Sequence, residues 1–211
     1  MTHLLEVENL TCKVAERELF KNLSFSLTAG ESIAVIGRSG AGKSTLLSAI
    51  MGLRKVNSGD IRILGESIVS ASAKRKQALR RKHLGLIHQD GQLIDELTAV
   101  ENVAVALMLS ENSSAALWEK AESSLDRIGV PPHTLAANLS GGEIQRTALV
   151  RALAPNPHII LADEPTGSLD EQTRDAVAHD LFSKTLAADA ALVVVTHDPV
   201  VAALADKTIS L

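Results

Sequence analysis

The segment Gly37–Ser44 has the residue types and the spacing of a loop that binds phosphate. It reads Gly-Arg-Ser-Gly-Ala-Gly-Lys-Ser and lies between a short apolar run and a helical pattern, which is the context that such a loop requires. Backbone amides are expected to cradle phosphates, and the Lys43 ammonium to contact the β and γ phosphates of a nucleotide. The Ser44 hydroxyl is a candidate Mg²⁺ ligand. The alternative is a chance glycine-rich turn. The predicted phosphate contacts are Gly37, Arg38, Ser39, Gly40, Ala41, Gly42, Lys43, Ser44 and Thr45.

A second candidate anion site lies at Leu139–Arg146, which reads Leu-Ser-Gly-Gly-Glu-Ile-Gln-Arg. A serine and two glycines ahead of a helical pattern let an anion approach the backbone, and they point free amides at it. Ser140, Gly141 and Gly142 are therefore predicted to contact a phosphate. Because the two anion sites differ in design, we expect them to face one nucleotide from opposite sides, each supplied by a different copy of the chain.

Two carboxylates, Asp163 and Glu164, end the apolar run that begins at His158. Ligands of open α/β sheets bind at the carboxyl ends of the strands. Asp163 is predicted to hold Mg²⁺ through water, and Glu164 to orient or deprotonate an attacking water. A glutamate pKa near about 4.3 is low for a general base, so positioning of the water is favoured. The alternative is an acidic pair that only stabilises the start of the next helix.

Three further polar positions follow apolar runs or the acidic pair. Gln89 follows Leu84–Ile87 and is predicted to bring its amide oxygen to Mg²⁺ and the water; a lone glutamine is otherwise a surface residue. His197 follows Ala191–Thr196 and is predicted to contact the γ phosphate. Asp170 is expected to cross a dimer interface, to cap the next helix, or both.

The elements that position these residues are apolar strands alternating with helices, which predicts a parallel sheet buried on both faces. Met1–Glu8 and Asn22–Leu27 alternate apolar and polar residues, as half-exposed antiparallel strands do. The remaining predicted strands are Glu31–Ile36, Ile61–Ile63, Leu84–Ile87, His158–Asp163 and Ala191–Thr196. The predicted helices are Lys43–Gly52, Ala71–Lys82, Val100–Leu109, Ala115–Ile128, a helix ending near Leu153, Asp170–Leu186 and Pro199–Leu204. The helical patterns from about Leu93 to about Leu153 lie between two predicted core strands, Leu84–Ile87 and His158–Asp163, so this helical block is interpreted as an inserted subdomain.

The composition argues against a membrane-spanning chain, a disulfide-bonded chain and a nucleic-acid-binding protein. The chain has 211 residues, 45% of them hydrophobic, a net charge of −4 and one cysteine, Cys12. No apolar run approaches the ~20 residues that cross a bilayer, and one cysteine per chain excludes an internal disulfide. Lys74–Lys82 holds six basic residues; such a run can bind nucleic acid or lipid, but a solvated helix face is favoured and no nucleic acid is expected, because the whole chain is acidic.

Together these residues resemble the ATP-binding cassette (ABC) family, most closely its lipoprotein-releasing, macrolide-export and cell-division groups. Gly37–Ser44 resembles the family's Walker A loop, Gln89 its Q-loop, Leu139–Glu143 its signature, Ile159–Glu164 its Walker B, and His197 its switch histidine. Ser168–Asp170 resembles its D-loop. The resemblance implies a P-loop NTPase fold of the ABC ATPase type. A mostly parallel core and an antiparallel β subdomain would occupy about 1–90 and 154–211, and an inserted helical subdomain 91–153, within a single nucleotide-binding domain 1–211.

The resemblance also implies ATP and Mg²⁺ as cofactors and two copies that sandwich two ATP molecules. Each ATP would lie between the Lys43 loop of one copy and Ser140 and Gly142 of the other. It implies a membrane-spanning permease seated near Gly91–Val103. The chain would then be a peripheral subunit on the cytoplasmic face of the inner membrane, soluble when expressed alone.

One departure from the family pattern concerns the base. The family usually carries an aromatic residue near position 14, where this chain has Val14, and the chain has no tyrosine. Either base selectivity is relaxed or Phe20 takes the aromatic role.

Three other functions share some of these motifs. An ABC signalling or structural cassette would control a membrane complex without moving a solute. A soluble DNA-repair or translation cassette usually carries tandem cassettes or long coiled-coil insertions, neither of which the sequence shows. A monomeric P-loop kinase would leave the segment Leu139–Glu143 without a role.

Overall fold

The computed structural model describes residues 2–14, 17–110 and 116–211. Met1 and Ala115, which began a predicted strand and a predicted helix, lie outside these residues. The strands are β1 (Leu5–Val14), β2 (Arg17–Leu27), β3 (Ser32–Ile36), β4 (Ser58–Ile63), β5 (Glu66–Ser67), β6 (Leu84–Ile87), β7 (Ile159–Asp163), β8 (Ala191–Thr196) and β9 (Lys207–Ser210). The helices are α1 (Lys43–Ile50), α2 (Ala73–His83), α3 (Ala99–Ser110), α4 (Ala116–Asp126), α5 (Gly141–Leu153), α6 (Glu171–Ala187) and α7 (Pro199–Ala202), with a 3₁₀ turn at Ala136–Asn138.

The core is a parallel sheet in the order β6-β7-β8-β3-β9. Its central strand β8 is buried at all six positions, and three of its six residues are valine, which suits a strand covered on both faces. The predicted parallel sheet is therefore confirmed. Strand β9 was not predicted, because only Ile209 among its four residues is a large apolar residue and the strand forms by pairing with the edge of β3.

The second sheet is antiparallel, in the order β2-β1-β4-β5. Strand β1 runs six residues past the predicted end at Glu8, and β2 begins five residues before the predicted start at Asn22. The predicted bounds were wrong because the polar residue Asn9, with φ 48°, interrupts the alternation at a register shift. Beyond that irregularity Leu10 and Cys12 are fully buried, and their burial carries the strand onward.

Helices α3, α4 and α5 enclose a separate apolar cluster that includes Val103, Leu107, Leu117 and Leu125. Helix α5 also faces the parallel sheet, because its Leu149 belongs to the cluster that packs on β7 and β8. Helix α5 thus joins the helical cluster to the sheet. Across the described residues, no helix is both long and apolar enough to span a membrane.

The four strands β6, β7, β8 and β3 lie side by side and run in one direction. The residues that follow them in the chain are Gln89, Glu164, His197 and the loop beginning at Gly37. All four segments therefore meet at the carboxyl edge of the sheet, where ligands of such sheets bind.

Candidate functional site

A cleft of about 730 Å³ opens at this edge of the sheet. It brings together the phosphate-loop residues and the polar residues from the three neighbouring strand ends. Of the predicted site residues, it is lined by Gly37, Arg38, Ser39, Gly40, Gly42, Lys43, Ser44, Thr45, Gln89, Asp163, Glu164 and His197. Val14, Arg17 and Leu19 complete its wall. Ala41 belongs to the same loop but does not line the cleft.

The phosphate loop needs glycine at two of its positions. Gly40 and Gly42 have φ of 77° and 102°, in the left-handed region that a Cβ disfavours. A Cβ at Gly42 would also lie 2.9 Å from the Cβ of Leu19. The loop therefore holds its open shape only with these glycines, and it feeds directly into helix α1, whose first residue is Lys43. The amides of this first turn have no partner within the helix and are available to an anion.

Lys43 is buried yet reaches two oxygen atoms at the cleft. It is 8% exposed, and its Nζ donates a hydrogen bond to the Gly37 carbonyl over 2.9 Å. Its Nζ also lies 3.5 Å from Oε1 of Glu164. The carboxylate thus neutralises the lysine, and an incoming phosphate would compete with it for the ammonium group.

Glu164 stands between two neighbours and has a strained backbone. Its Oε2 accepts a hydrogen bond from the His197 amide over 3.1 Å and lies 2.9 Å from His197 Nδ1. Its φ is 47°, a conformation that costs free energy for any residue with a side chain and that is found often at functional sites. The strain is held in place by the hydrogen bond from the Glu164 amide to the Val195 carbonyl, over 2.8 Å.

The segment 88–92, which carries Gln89, is fastened to helix α5 by side chains. The Gln145 amide group, 2% exposed, donates to the carbonyls of His88 and Gln89. Arg151 donates to the Gly91 and Gln92 carbonyls, each over 2.6 Å. Gln145 and Arg151 carry no motif that predicts this role, although both lie on helix α5.

A salt bridge also approaches His197 from helix α6. Arg174 Nη1 lies 3.3 Å from Oδ2 of Asp198, and both side chains are about four-fifths buried. Asp198 Oδ1 caps α7 by accepting from the Val200 amide over 2.7 Å. Asp198, the residue after His197, is therefore held both by Arg174 and by the start of α7. Arg174 could not be predicted as part of the site, because its partner lies 24 residues away in the chain.

The signature segment forms a second cavity, of about 460 Å³. Its wall includes Ser140, Gly141, Gly142, Arg146, Ser168 and Asp170. None of the described residues lines both this cavity and the cleft, so the structure does not bring the two predicted anion sites together within one chain. This separation is what a nucleotide shared between two copies requires.

Ser140 is the N-cap of helix α5. Its hydroxyl accepts from the Glu143 amide, and it donates to Oε2 of Glu143 over 2.6 Å. The Ser140 amide donates to the same carboxylate over 2.8 Å, so the two residues form a capping box. Hydrogen bonds from Ser140 lower the pKa of Glu143 below its ordinary value. A carboxylate thus occupies the donors that an incoming anion would use.

Asp170 is the N-cap of helix α6, which is one of the two roles predicted for it. Its side chain accepts from the Thr173 amide over 3.1 Å and from the Thr173 hydroxyl over 2.7 Å. These bonds lower the pKa of Asp170.

Phe20 does not serve the cleft. It is 6% exposed and belongs to the core cluster beneath the antiparallel sheet. Its Cδ1 lies 3.4 Å from the position that a Cβ of Gly42 would take, so the ring supports the phosphate loop from below. The expectation that Phe20 takes the aromatic role is therefore wrong: as β2 runs back to Arg17, Phe20 becomes an inward-facing strand residue.

A family model described as "ABC transporter" matches residues 20–167 of this chain. Among curated proteins, the chain is similar to the lipoprotein-releasing system ATP-binding protein LolD of Psychrobacter arcticus, with 43% identity over 198 residues that cover 92% of this chain and 87% of LolD. It is also similar to the uncharacterized ABC transporter ATP-binding protein YbbA of Escherichia coli K12, with 38% identity over 215 residues that cover 99% of this chain and 94% of YbbA.

Among solved structures, the chain is similar to the dimeric post-hydrolysis state of the ATP-binding cassette MJ0796 bound to ADP and Pi. The TM-score is 0.86 at 32% identity, and the match covers 98% of this chain and 94% of that chain.

Proposed function

This chain belongs to the ABC transporter family of ATP-binding proteins, and we propose that it binds and hydrolyses ATP as a dimer that drives a separate membrane-spanning partner. One observation carries the proposal. One cleft contains the phosphate loop, Gln89, Asp163, Glu164 and His197, while the cavity beside Ser140, Gly141 and Gly142, here called the Ser140 mouth, opens elsewhere. A triphosphate in the cleft would leave the Ser140 mouth free for the nucleotide of a second copy.

The phosphate loop binds the triphosphate. Amides of the first turn of α1 point at the phosphates, and Lys43 exchanges Glu164 for the β and γ phosphate oxygens. The exchange is favourable because a triphosphate carries more charge than one carboxylate and accepts several hydrogen bonds at once. It also frees the Glu164 carboxylate at the moment when the γ phosphate arrives.

Oxygen ligands suited to Mg²⁺ line the same cleft. They are the Ser44 hydroxyl, the Gln89 amide oxygen and the Asp163 carboxylate. A small divalent ion that prefers oxygen and keeps several waters fits this donor set. When bound, it would neutralise charge on the β and γ phosphates.

Glu164 orients the water that attacks the γ phosphate. Once Lys43 has moved to the phosphates, the carboxylate keeps its contacts with the His197 backbone amide and ring. It accepts a hydrogen bond from the water and takes its proton as the bond from the water oxygen to the γ phosphorus forms. The bond from that phosphorus to the bridging oxygen breaks, and ADP leaves with this oxygen. His197 then lies beside both the carboxylate and the γ phosphate, where its ring donates to the phosphate oxygens.

The second copy supplies the remaining contacts. Ser140 caps helix α5 and Gly141 and Gly142 begin it, and the amides of these three residues suit the γ phosphate of the other copy. The Glu143 carboxylate must release Ser140 when that phosphate arrives. The relative MJ0796 is dimeric in its structure with ADP and Pi, and this supports the same arrangement here. Asp170 lines the same cavity as Ser140 and would face the second copy at the dimer interface.

The membrane partner docks near Gly91–Val103. This segment exposes Ile94, Asp95 and Glu96 and is tied to α5 through Gly91. A displacement of this segment by the partner would therefore move both Gln89 and helix α5, which begins at the Ser140 mouth. The relative LolD is the ATP-binding protein of a lipoprotein-releasing system, which supports a place on the cytoplasmic face of the inner membrane.

The test is coupled turnover. The protein is reconstituted with its membrane partner in liposomes, and ATP hydrolysis and substrate movement are measured together for the parent and for Lys43→Ala. We expect both activities in the parent and neither in the variant. Hydrolysis without any substrate movement would contradict the transport role, and absence of hydrolysis in the parent would contradict the enzyme role.

A further inference from the structure

The outer wall of the cleft, beyond the phosphate loop, consists of Val14, Arg17 and Leu19. Val14, the last residue of β1, pairs with Arg17, the first residue of β2, and Val14 is 40% exposed. With the phosphates of a bound nucleotide at the loop and the strand-end residues around them, this wall is the part of the cleft left to contact the base.

Among the residues that the structure describes, no phenylalanine or tryptophan lines this wall. The chain has three phenylalanines, one tryptophan and no tyrosine. Phe20 and Phe25 pack in the core of the antiparallel sheet. Phe182 packs on the opposite side of the parallel sheet, and Trp118 lies on α4. The His197 ring lines the cleft but is held by Glu164.

Arg17 brings a flat, charged group to the mouth of the cleft. Its Nη1 lies 3.9 Å from the position that a Cβ of Gly40 would take, so the guanidinium lies beside the phosphate loop. The adjacent carboxylate of Glu18 is directed to Lys13 instead, with 3.5 Å between the charged atoms. Arg17 therefore brings its guanidinium to the cleft beside the phosphate loop.

We propose that Arg17 is the base-binding residue of this cleft: its guanidinium stacks on the face of the purine, and Val14 packs beside it. A guanidinium is planar and weakly hydrated and stacks on aromatic faces, which an ammonium cannot do. Stacking of this kind tolerates different bases because every base has a π face. The inference rests on the proposed function, since it needs a nucleotide in the cleft.

The test separates the base from the phosphates. Binding of ADP and of inorganic tripolyphosphate is measured by calorimetry for the parent, Arg17→Ala, Arg17→Lys and Arg17→Trp. Lys21→Ala, which removes a cation from the same strand away from the cleft, is the matched control. For Arg17→Ala we expect ADP to bind about three- to thirtyfold more weakly, the range of a cation–π contact, with tripolyphosphate unchanged.

Rescue identifies the interaction. Arg17→Trp is expected to restore ADP binding, because it supplies a flat surface without charge, and Arg17→Lys is expected not to. GDP is expected to bind the parent within a few-fold of ADP, because stacking reads the face of a base. The proposal is overturned if Arg17→Ala weakens tripolyphosphate as much as ADP and lysine restores both, or if Arg17→Ala changes nothing. A parent that binds neither ligand would instead overturn the proposed function.

Discussion

Replacing Glu164 by glutamine tests the contacts at the centre of the cleft. The amide keeps the shape of the carboxylate but removes its charge, so the Lys43 ammonium loses a partner 3.5 Å away. With an effective dielectric constant of about 20, two unit charges at that distance attract by about 5 kcal/mol. Desolvation offsets most of this attraction, and Lys43 keeps its bond to Gly37. We therefore expect the nucleotide-free variant to be less stable by about 1–3 kcal/mol.

Nucleotide should reverse this loss, because phosphate then neutralises Lys43 in both proteins. The variant is expected to bind ATP about tenfold more tightly than the parent, since no carboxylate competes for the ammonium group. Turnover should fall by about 10²- to 10⁴-fold, the usual worth of a positioned base. Calorimetry, thermal unfolding with and without ATP, and phosphate release measure the three quantities.

The matched control is Glu31→Gln, which also breaks a lysine–carboxylate pair, with Lys207 over 2.8 Å, but at the opposite end of β3. It should lower stability and leave turnover unchanged. The reasoning is refuted if Glu164→Gln hydrolyses ATP at the parent rate, or if its affinity for ATP is lower than that of the parent.

Three further predictions concern other parts of the molecule. Lys43→Ala should weaken ATP binding at least about tenfold, the worth of a charged hydrogen bond, and unchanged binding by calorimetry would contradict the role of the phosphate loop. Gly142→Ala places a Cβ 2.7 Å from Cγ2 of Thr173, so it should weaken ATP-dependent dimerisation and leave nucleotide binding by the single chain intact; equal dimerisation by sedimentation would contradict this. The bond from Lys207 lowers the Glu31 pKa from 4.5 to about 2. Its contribution to stability is present above about pH 4.5 and is lost as the pH falls toward 2. Because the side chain is 33% exposed, this contribution is about 1 kcal/mol, and the difference between the parent and Glu31→Gln in urea unfolding should vanish in acid.

Much of the fold could be predicted from apolar runs. Strands β3, β6, β7 and β8 are short, apolar and bounded by polar residues, so the sequence pattern determines both their position and their burial. The ends of the hairpin strands and strand β9 could not be predicted in this way. Strand β9 is largely polar and exposed, and it forms by pairing with β3. The hairpin strands continue past the irregularity at Asn9 because Leu10 and Cys12 are buried beyond it. Neither cause is visible in a local alternation of apolar and polar residues.

The candidate site shows the same division. The phosphate loop, Glu164 and His197 could be placed together because parallel strands end at one edge. Three contacts could not be predicted: the ion pair of Lys43 with Glu164, the hydrogen bond from Gln145 to the Gln89 carbonyl, and the hydrogen bonds of Ser140 with Glu143. They depend on how the helices pack on the sheet and on the side-chain conformations, and the spacing of residues along the chain determines neither.

Sedimentation of the Glu164→Gln variant tests the central claim, that two copies share each ATP, most directly. The chain has a mass of 22.3 kDa. With ATP and Mg²⁺ the sedimenting species should double in mass, and it should return to one chain when Lys43→Ala is added. A thiol crosslinker should then join Ser39→Cys of one copy to Ser140→Cys of another, while the native Cys12 is buried. A variant that stays at the mass of one chain with saturating ATP, and that forms no such crosslink, would contradict the account.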